Sequence, residues 1–235
     1  MAKEIVTSGR MALLLGGSEL PESVKVLTAL RAEVALEEAP VIAADGGAAL
    51  ALVCGLTPDA VVGDFDSLRA EDRARLDPAT LHPSDDQVTT DFDKALAAIR
   101  APIVLGVGFL GGRLDHQLAV MTGLTVRPER VCVLVGEEDV VCLCPPELAL
   151  DLPTGTRLSL YPLVATGGTS EGLEWCIDGL DLRPDGRVGT SNTTTGPVRL
   201  TMAAPFMLLI LPRPALRPLL AALSRSDARW PSRAE

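Results

Sequence analysis

Apolar and polar positions along this chain follow two different rhythms. Up to about residue 140, short, wholly apolar runs alternate with stretches of helical spacing. Met11-Ala12-Leu13-Leu14-Leu15 stops at Gly16-Gly17 and predicts a buried strand. Pro21 to Glu38 predicts a helix, with Val26, Leu27, Leu30 and Val34 on one face. Val41-Ile42-Ala43-Ala44 is the next strand, and Ala48 to Val53 a short helix closed by Gly55. Ala60-Val61-Val62 is a third strand. Thr90 to Arg100 is a helix, with Phe92, Ala95, Leu96 and Ile99 spaced i, i+3, i+4, i+7 and Thr89 or Thr90 as its cap. Ile103-Val104-Leu105 and Val131 to Val135 are further strands. Apolar strands alternating with helices predict a parallel sheet covered on both faces.

The rhythm changes near Cys144-Pro145-Pro146. Short strand-like pieces follow, broken by Gly and Pro: Thr156–Leu160, Leu173–Ile177, Arg187–Ser191, Val198–Ala203 and Phe206–Leu211. Val198, Leu200 and Met202 alternate with Arg199 and Thr201, as in a half-buried strand. The expected organisation is an α/β domain with a parallel sheet over residues 1–144, a small antiparallel β-sandwich over 145–212, and a tail over 213–235. Within the tail, Leu216 to Leu223 predicts a short helix and the remainder disorder.

Composition narrows the function classes. The net charge is −10, with 18 Arg and only three Lys, which disfavours binding to nucleic-acid backbones. No apolar run approaches the roughly 18 residues of a membrane span. Met1-Ala2-Lys3-Glu4 leads into no apolar signal segment, so a soluble, cytoplasmic protein with no membrane partner is expected. The five cysteines form no C-x-x-C and there are only two histidines, so buried reduced thiols are expected rather than a zinc site.

Val61-Val62-Gly63-Asp64-Phe65-Asp66-Ser67 carries the first chemistry. In extended backbone Asp64 and Asp66 point the same way, which suits a Mg2+ ion that also holds substrate phosphates. The same spacing also fits an Asx-rich turn that merely ends a strand. Asp45 follows another strand, and open α/β sheets bind ligands beyond the carboxyl ends of their strands. Asp91 falls in the first turn of a helix, as a further acid of the site or as a simple N-terminal charge.

Residues 106–111 match G-x-G-x-x-G after a strand, but no second mononucleotide-binding half follows. The spacing supplies a glycine-lined turn whose amides can approach phosphate, with Arg113 as a planar donor beside it. His116 reads as a general base or as a structural histidine tied to Asp115. In the second half, the hydroxyl-rich run Gly189 to Gly196 and Trp175 suit a small heterocycle, or equally an ordinary polar hairpin and a core tryptophan.

Taken in order, Ala44-Asp45-Gly46-Gly47, Gly63-Asp64-Phe65-Asp66-Ser67, Gln87-Val88-Thr89-Thr90-Asp91-Phe92, Gly108 to His116, Gly172-Leu173-Glu174-Trp175 and Thr190-Ser191-Asn192 resemble the thiamine pyrophosphokinase (thiamine diphosphokinase) family. The resemblance implies an α/β nucleotide-binding domain followed by a β-sandwich, and a homodimer with the thiamine site at the subunit interface. It implies transfer of a pyrophosphoryl group from ATP to the thiamine hydroxyl, with AMP released. Asp64, Asp66 and Asp91 would surround Mg2+ and the ATP phosphates, with Asp45 and Asp115 supporting them and Arg113 acting on the phosphates. Gly46, Gly47, Gly108, Gly111 and Gly112 would line the ATP site. Gln87 would face the thiamine pyrimidine, Trp175 would stack on thiamine from the partner subunit, and Ser191 and Asn192 would line that pocket. Val120 stands where the family commonly has Asn. The competing expectations are a pyrophosphokinase acting on another alcohol such as a hydroxymethyl pterin, a nucleotide-sugar transferase using Asp64 and Asp66, and a non-catalytic sensor.

Overall fold

A computed structural model describes residues 4–86 and 88–233. They form two compact units: one runs through Val126 and includes Cys132–Glu137, and the other contains Arg127–Val131 and the chain from Glu138 onward. The architecture is α/β, with parallel strands in the first unit and antiparallel strands in the second.

The first unit runs β1 (Val6–Thr7), β2 (Ala12–Leu15), α1 (Leu20–Glu33), β3 (Val41–Ala44), α2 (Gly47–Val53), β4 (Ala60–Gly63), α3 (Ala70–Arg73), β5 (Leu81–Pro83), α4 (Asp91–Ala97), β6 (Ile99–Arg100), β7 (Val104–Val107), α5 (Leu114–Val126) and β8 (Cys132–Val135). Its main sheet has the order β8-β7-β2-β3-β4-β5, parallel throughout. β2, β3, β4, β7 and β8 are buried along their whole length, as their unbroken apolar sequences require. The chain builds outward from β2 through β3, β4 and β5, then returns to lay β7 on β2's other edge. Such a reversal marks the place, beyond the carboxyl ends of β2 and β7, where sheets of this kind take ligands in a crevice.

Local sequence sets the helix limits. α1 has Pro21 in its first turn and stops five residues short of the expected Glu38. Val34 turns extended there, and Val34 and Leu36 still reach the core by strand-like alternation. α4 begins with a full capping box: Thr90 accepts from the Asp93 amide while the Asp93 carboxylate accepts from the Thr90 amide. α5 is absent from the periodicity reading because Leu118, Val120, Met121, Leu124 and Val126 surround its axis rather than forming one stripe. Val120 lies on its buried side.

The second unit runs β9 (Asp139–Leu143), β10 (Glu147–Leu150), β11 (Arg157–Pro162), β12 (Gly168–Leu173), β13 (Gly189–Met202), β14 (Met207–Pro212) and α6 (Leu216–Arg225). Its strands lie in the order β10-β13-β11-β14-β9, with β12 also on β13, antiparallel at each pairing. β13 pairs with β11 through its first half and with β10 and β12 through its second. The sequence suggested two strands flanking a polar loop, yet the threonine run continues the strand. Thr194 is fully buried; its hydroxyl donates to the Pro153 carbonyl (2.7 Å) and accepts from the Thr156 amide (3.0 Å). β-Branched threonines with satisfied hydroxyls suit a sheet as well as apolar residues do. Leu173 ends β12, and the expected strand through Ile177 is instead a loop. Past α6, residues 226–233 are held by side chains: the Trp230 indole donates to the Cys144 carbonyl (2.8 Å), and Arg233 lies 4.6 Å over the Phe206 ring.

Candidate active site

Three carboxylates converge beyond the ends of β3 and β4. Oxygens of Asp45, Asp64 and Asp91 lie within 4.8 Å of one another. Each comes from a position that backbone geometry dictates. Asp45 is the first residue past β3, and its amide donates to the Val62 carbonyl (2.9 Å), which stitches that end to β4. Asp64 follows β4 directly, and Asp91 opens α4. Gly63 lets the three approach: a β-carbon there would lie 2.9 Å from the Asp45 Cβ and 3.3 Å from the Asp91 carboxylate.

The three acids differ in their surroundings. Asp45 is only 4% exposed, and its backbone is left-handed at φ 41°. Its Oδ2 accepts from the Ser67 amide (3.0 Å), whereas its Oδ1 is buried with no hydrogen-bond partner. Burial, followed by the repulsion of Asp91, pushes its pKa up to about 6 despite the Ser67 hydrogen bond. Asp91 Oδ1 accepts from the Lys94 ammonium at 3.0 Å. Asp64 is exposed. An orphaned buried oxygen within an all-oxygen set that repels itself fits a hard divalent cation, which would satisfy the lone pair and offset the charge.

Asp66, expected beside Asp64, is not among the three. Phe65 between them has φ 66°, so the period-two alternation that would point both carboxylates one way breaks at that residue. The chain instead folds into a turn: the Asp66 amide donates to Asp64 Oδ1 (3.2 Å), and Asp66 Oδ1 accepts from the Ser67 hydroxyl (2.8 Å). The Asx turn and the acidic cluster, alternatives on sequence grounds, both occur. Ser67 and Lys94 hold two of the three acids and carried no sequence signal beyond their nearness to them.

The glycines line the neighbouring crevice. At β2 and β7 the backbones meet so closely that a β-carbon on Gly16 would sit 2.4 Å from the Gly108 carbonyl oxygen. Gly108, Gly111 and Gly112 have φ of 81°, 89° and 66°, which keeps the loop after β7 free of β-carbons where it turns. Gly46 precedes α2 and Gly47 begins it. Arg113 and Asp115 pair through two hydrogen bonds of 3.1 and 2.6 Å, both side chains exposed. That guanidinium holds the Asp115 carboxyl down to about 2. Asp115 also accepts from the His116 backbone amide, and the His116 side chain is exposed. Gln87 lies outside the described residues.

In the second unit, Trp175 is 54% exposed on the loop after β12. Asn192 is buried and spends its amide on that loop: Oδ1 accepts from the Trp175 amide (3.1 Å) and Nδ2 donates to the Trp175 carbonyl (2.6 Å). Both residues border a pocket of about 270 Å³, together with Ile177, Leu182, Arg187 and Thr190. Ser191 sits at φ 61°, its amide donating to the Ser159 hydroxyl, and is not among the residues that line this pocket. Arg187 and the apolar wall escaped the sequence reading, since a lone arginine in a Gly-Pro-rich turn carries no signal of its own.

Comparison with known proteins gives a consistent result. The family model described as "Thiamin pyrophosphokinase, catalytic domain" matches residues 33–134. The chain is 29% identical over 163 residues to thiamine pyrophosphokinase 1 of Arabidopsis thaliana, covering 61% of each protein. It is 27% identical over 154 residues to thiamine pyrophosphokinase 3 of Oryza sativa subsp. japonica, covering 57% of this chain and 58% of that one. The match thus spans about three fifths of the length of these curated relatives. The fold resembles that of the thiamine pyrophosphokinase crystal structure from Bacillus subtilis, with a TM-score of 0.67 at 21% identity over 86% of this chain and 99% of the other. The Candida albicans structure gives a TM-score of 0.67 at 18% identity, covering 86% and 90%. Among the described residues, no helix is long and apolar enough to cross a membrane.

Proposed function

We propose that this chain, whose residues 33–134 match the thiamin pyrophosphokinase catalytic-domain model, acts as a member of that family and transfers the pyrophosphoryl group of ATP to the hydroxyl of thiamine, giving thiamine diphosphate and AMP. The observation that carries this reading is the Asp45–Asp64–Asp91 cluster, with its orphaned Asp45 oxygen, set beside the glycine-lined crevice. Asp45, Asp64 and Asp91 would hold Mg2+, with Asp66 completing the acidic set that the resemblance implies. Bound there, the ion neutralises the triphosphate and makes the β-phosphorus more electrophilic.

The chain's own groups do the positioning. Gly46, Gly47, Gly108, Gly111 and Gly112 admit the phosphates close to backbone amides, and Arg113 turns from Asp115 toward phosphate oxygens. Asp91, steadied by Lys94, orients the thiamine hydroxyl for in-line attack and takes its proton. Gln87 faces the pyrimidine. Trp175 supplies a flat face for the cationic thiazolium, with Asn192 holding the tryptophan's loop and Ser191 shaping the adjoining strand outside the pocket lining, all offered from the partner subunit of a homodimer. The first unit acts as the ATP- and Mg2+-binding domain expected over residues 1–144, and the second, which takes in the chain from Glu138, as the thiamine-binding β-domain expected over 145–212 together with the tail 213–235. The cysteines are thiols rather than disulfides, which suits a cytoplasmic setting.

The test is incubation of the purified protein with ATP, Mg2+ and thiamine, with AMP and thiamine diphosphate scored by mass. Equal amounts of both, lost on addition of EDTA, support the reading. AMP formed with a hydroxymethyl pterin but not with thiamine would move the substrate assignment to that alcohol.

A further inference from the structure

Among the described residues of the first unit, two with side chains adopt left-handed backbone: Asp45 of the carboxylate cluster, at φ 41°, and Phe65 next to Asp64, at φ 66°. An aspartate tolerates that conformation; a bulky aromatic does so only when something holds it there. Phe65 is held on two sides. Its ring packs against the apolar cluster of Ala43, Ala48, Val61, Leu68 and Leu76. The Arg73 guanidinium covers it, with Cζ 5.5 Å from the ring centroid.

The backbone of residue 65 decides where the chain goes after Asp64. With Phe65 left-handed, the Asp66 amide returns to Asp64 Oδ1 and the Ser67 amide reaches Asp45 Oδ2. One amide steadies the Asp64 carboxylate and the other holds Asp45 by its Oδ2, which leaves Oδ1 buried without a hydrogen-bond partner. Without the pinned ring, a residue with a β-carbon would relax to negative φ and carry both amides away.

We propose that Phe65 is a positioning residue: its ring, clamped between the β3–β4 apolar cluster and Arg73, holds the turn that places Asp64 and Asp45 together as ligands for a divalent cation. The inference rests on the metal reading above but concerns residues that bind nothing themselves. Outer-shell partners of metal ligands commonly control affinity by about 10- to 100-fold.

Mn2+ titration of the purified protein, followed by electron paramagnetic resonance and without substrates, tests it. Phe65→Gly relieves the backbone yet removes the anchor, and it should weaken Mn2+ binding by at least about tenfold. Phe65→Leu keeps an apolar anchor and should stay within about threefold of wild type; Arg73→Gln, at an exposed position, should weaken binding by about threefold with an unchanged melting temperature. In turnover, the Mg2+ concentration for half-activation should rise in Phe65→Gly while kcat at saturating Mg2+ is largely kept. A Phe65→Gly protein that binds Mn2+ as tightly as wild type overturns the proposal. Should that variant not fold, wild-type Mn2+ affinity in Arg73→Gln overturns it instead. A wild-type protein that binds no Mn2+ removes the metal reading itself, which is a distinct result.

Discussion

The crevice of the first unit and the pocket of the second use polar residues in opposite ways. Around Asp45, polar groups are left wanting: a buried oxygen has no partner, like charges crowd together, and two side-chain-bearing residues are left-handed. Around Trp175, polar groups are satisfied: Asn192 ties down both backbone groups of the tryptophan, and Thr194 closes the neighbouring hairpin. Unmet demand marks where a ligand supplies what the fold does not, whereas met demand marks a rigid wall. The crevice should therefore govern turnover, and the pocket substrate affinity.

Removal of a carboxylate from the cluster gives the sharpest contrast. Asp64→Asn and Asp91→Asn should each lower kcat by at least about a hundredfold, the scale of one lost transition-state contact. Asp66→Asn, outside the three, should lower it less in the same steady-state assay. Equal losses at Asp64 and Asp66 would mean that the turn rearranges to bring all four acids to the cation.

Asp45 separates stability from activity. Its pKa rises from 3.8 to about 6, so the folded protein holds the proton to higher pH than the unfolded chain does. Between about pH 4 and 6 the folded state thus binds more protons, and stability falls as pH rises through that window. In EDTA the wild type should lose stability relative to Asp45→Asn as pH rises across that window, the variant being the more stable at pH 7 by on the order of 2 kcal/mol. The same variant should lose activity. A stability difference between the two proteins that does not change with pH in EDTA would contradict the desolvated carboxylate.

Trp175→Ala should raise KM for thiamine by about tenfold with a smaller change in kcat, in line with a lost aromatic and cation–π face. Asn192→Ala should act on the same parameter through disorder of the loop, and it should also lower the melting temperature because two backbone groups lose partners. The smallest effect concerns the thiols. Cys142 is pushed up to about 12 by burial, and burial raises Cys144 further above the ordinary value, so neither should react with a thiol reagent in the native protein. Exposed Cys176, beside Trp175, should be modified first.

The parallel half was legible because its signals are redundant. A strand such as Val61-Val62 is apolar, buried and followed at once by Gly and Asp, so periodicity and chemistry point to the same strand end. α5 escaped because its apolar residues surround the helix, and the break at Phe65 escaped because nothing in Asp-Phe-Asp announces a positive φ on a phenylalanine. In the other half, Val198, Leu200 and Met202 revealed the end of β13 through alternation, but the threonines before them looked like a loop. Whether a hydroxyl lies buried and bonded, as that of Thr194 does, depends on partners some forty residues away in the chain.

The central claim, pyrophosphoryl transfer at the carboxylate cluster, is tested most directly by following label from [γ-32P]ATP with thiamine and Mg2+ in the wild type and in Asp64→Asn. The account predicts label in the terminal phosphate of thiamine diphosphate, one unlabelled AMP for each product, and almost none of either from Asp64→Asn. Formation of ADP, release of label as free phosphate, or undiminished transfer by Asp64→Asn would contradict it.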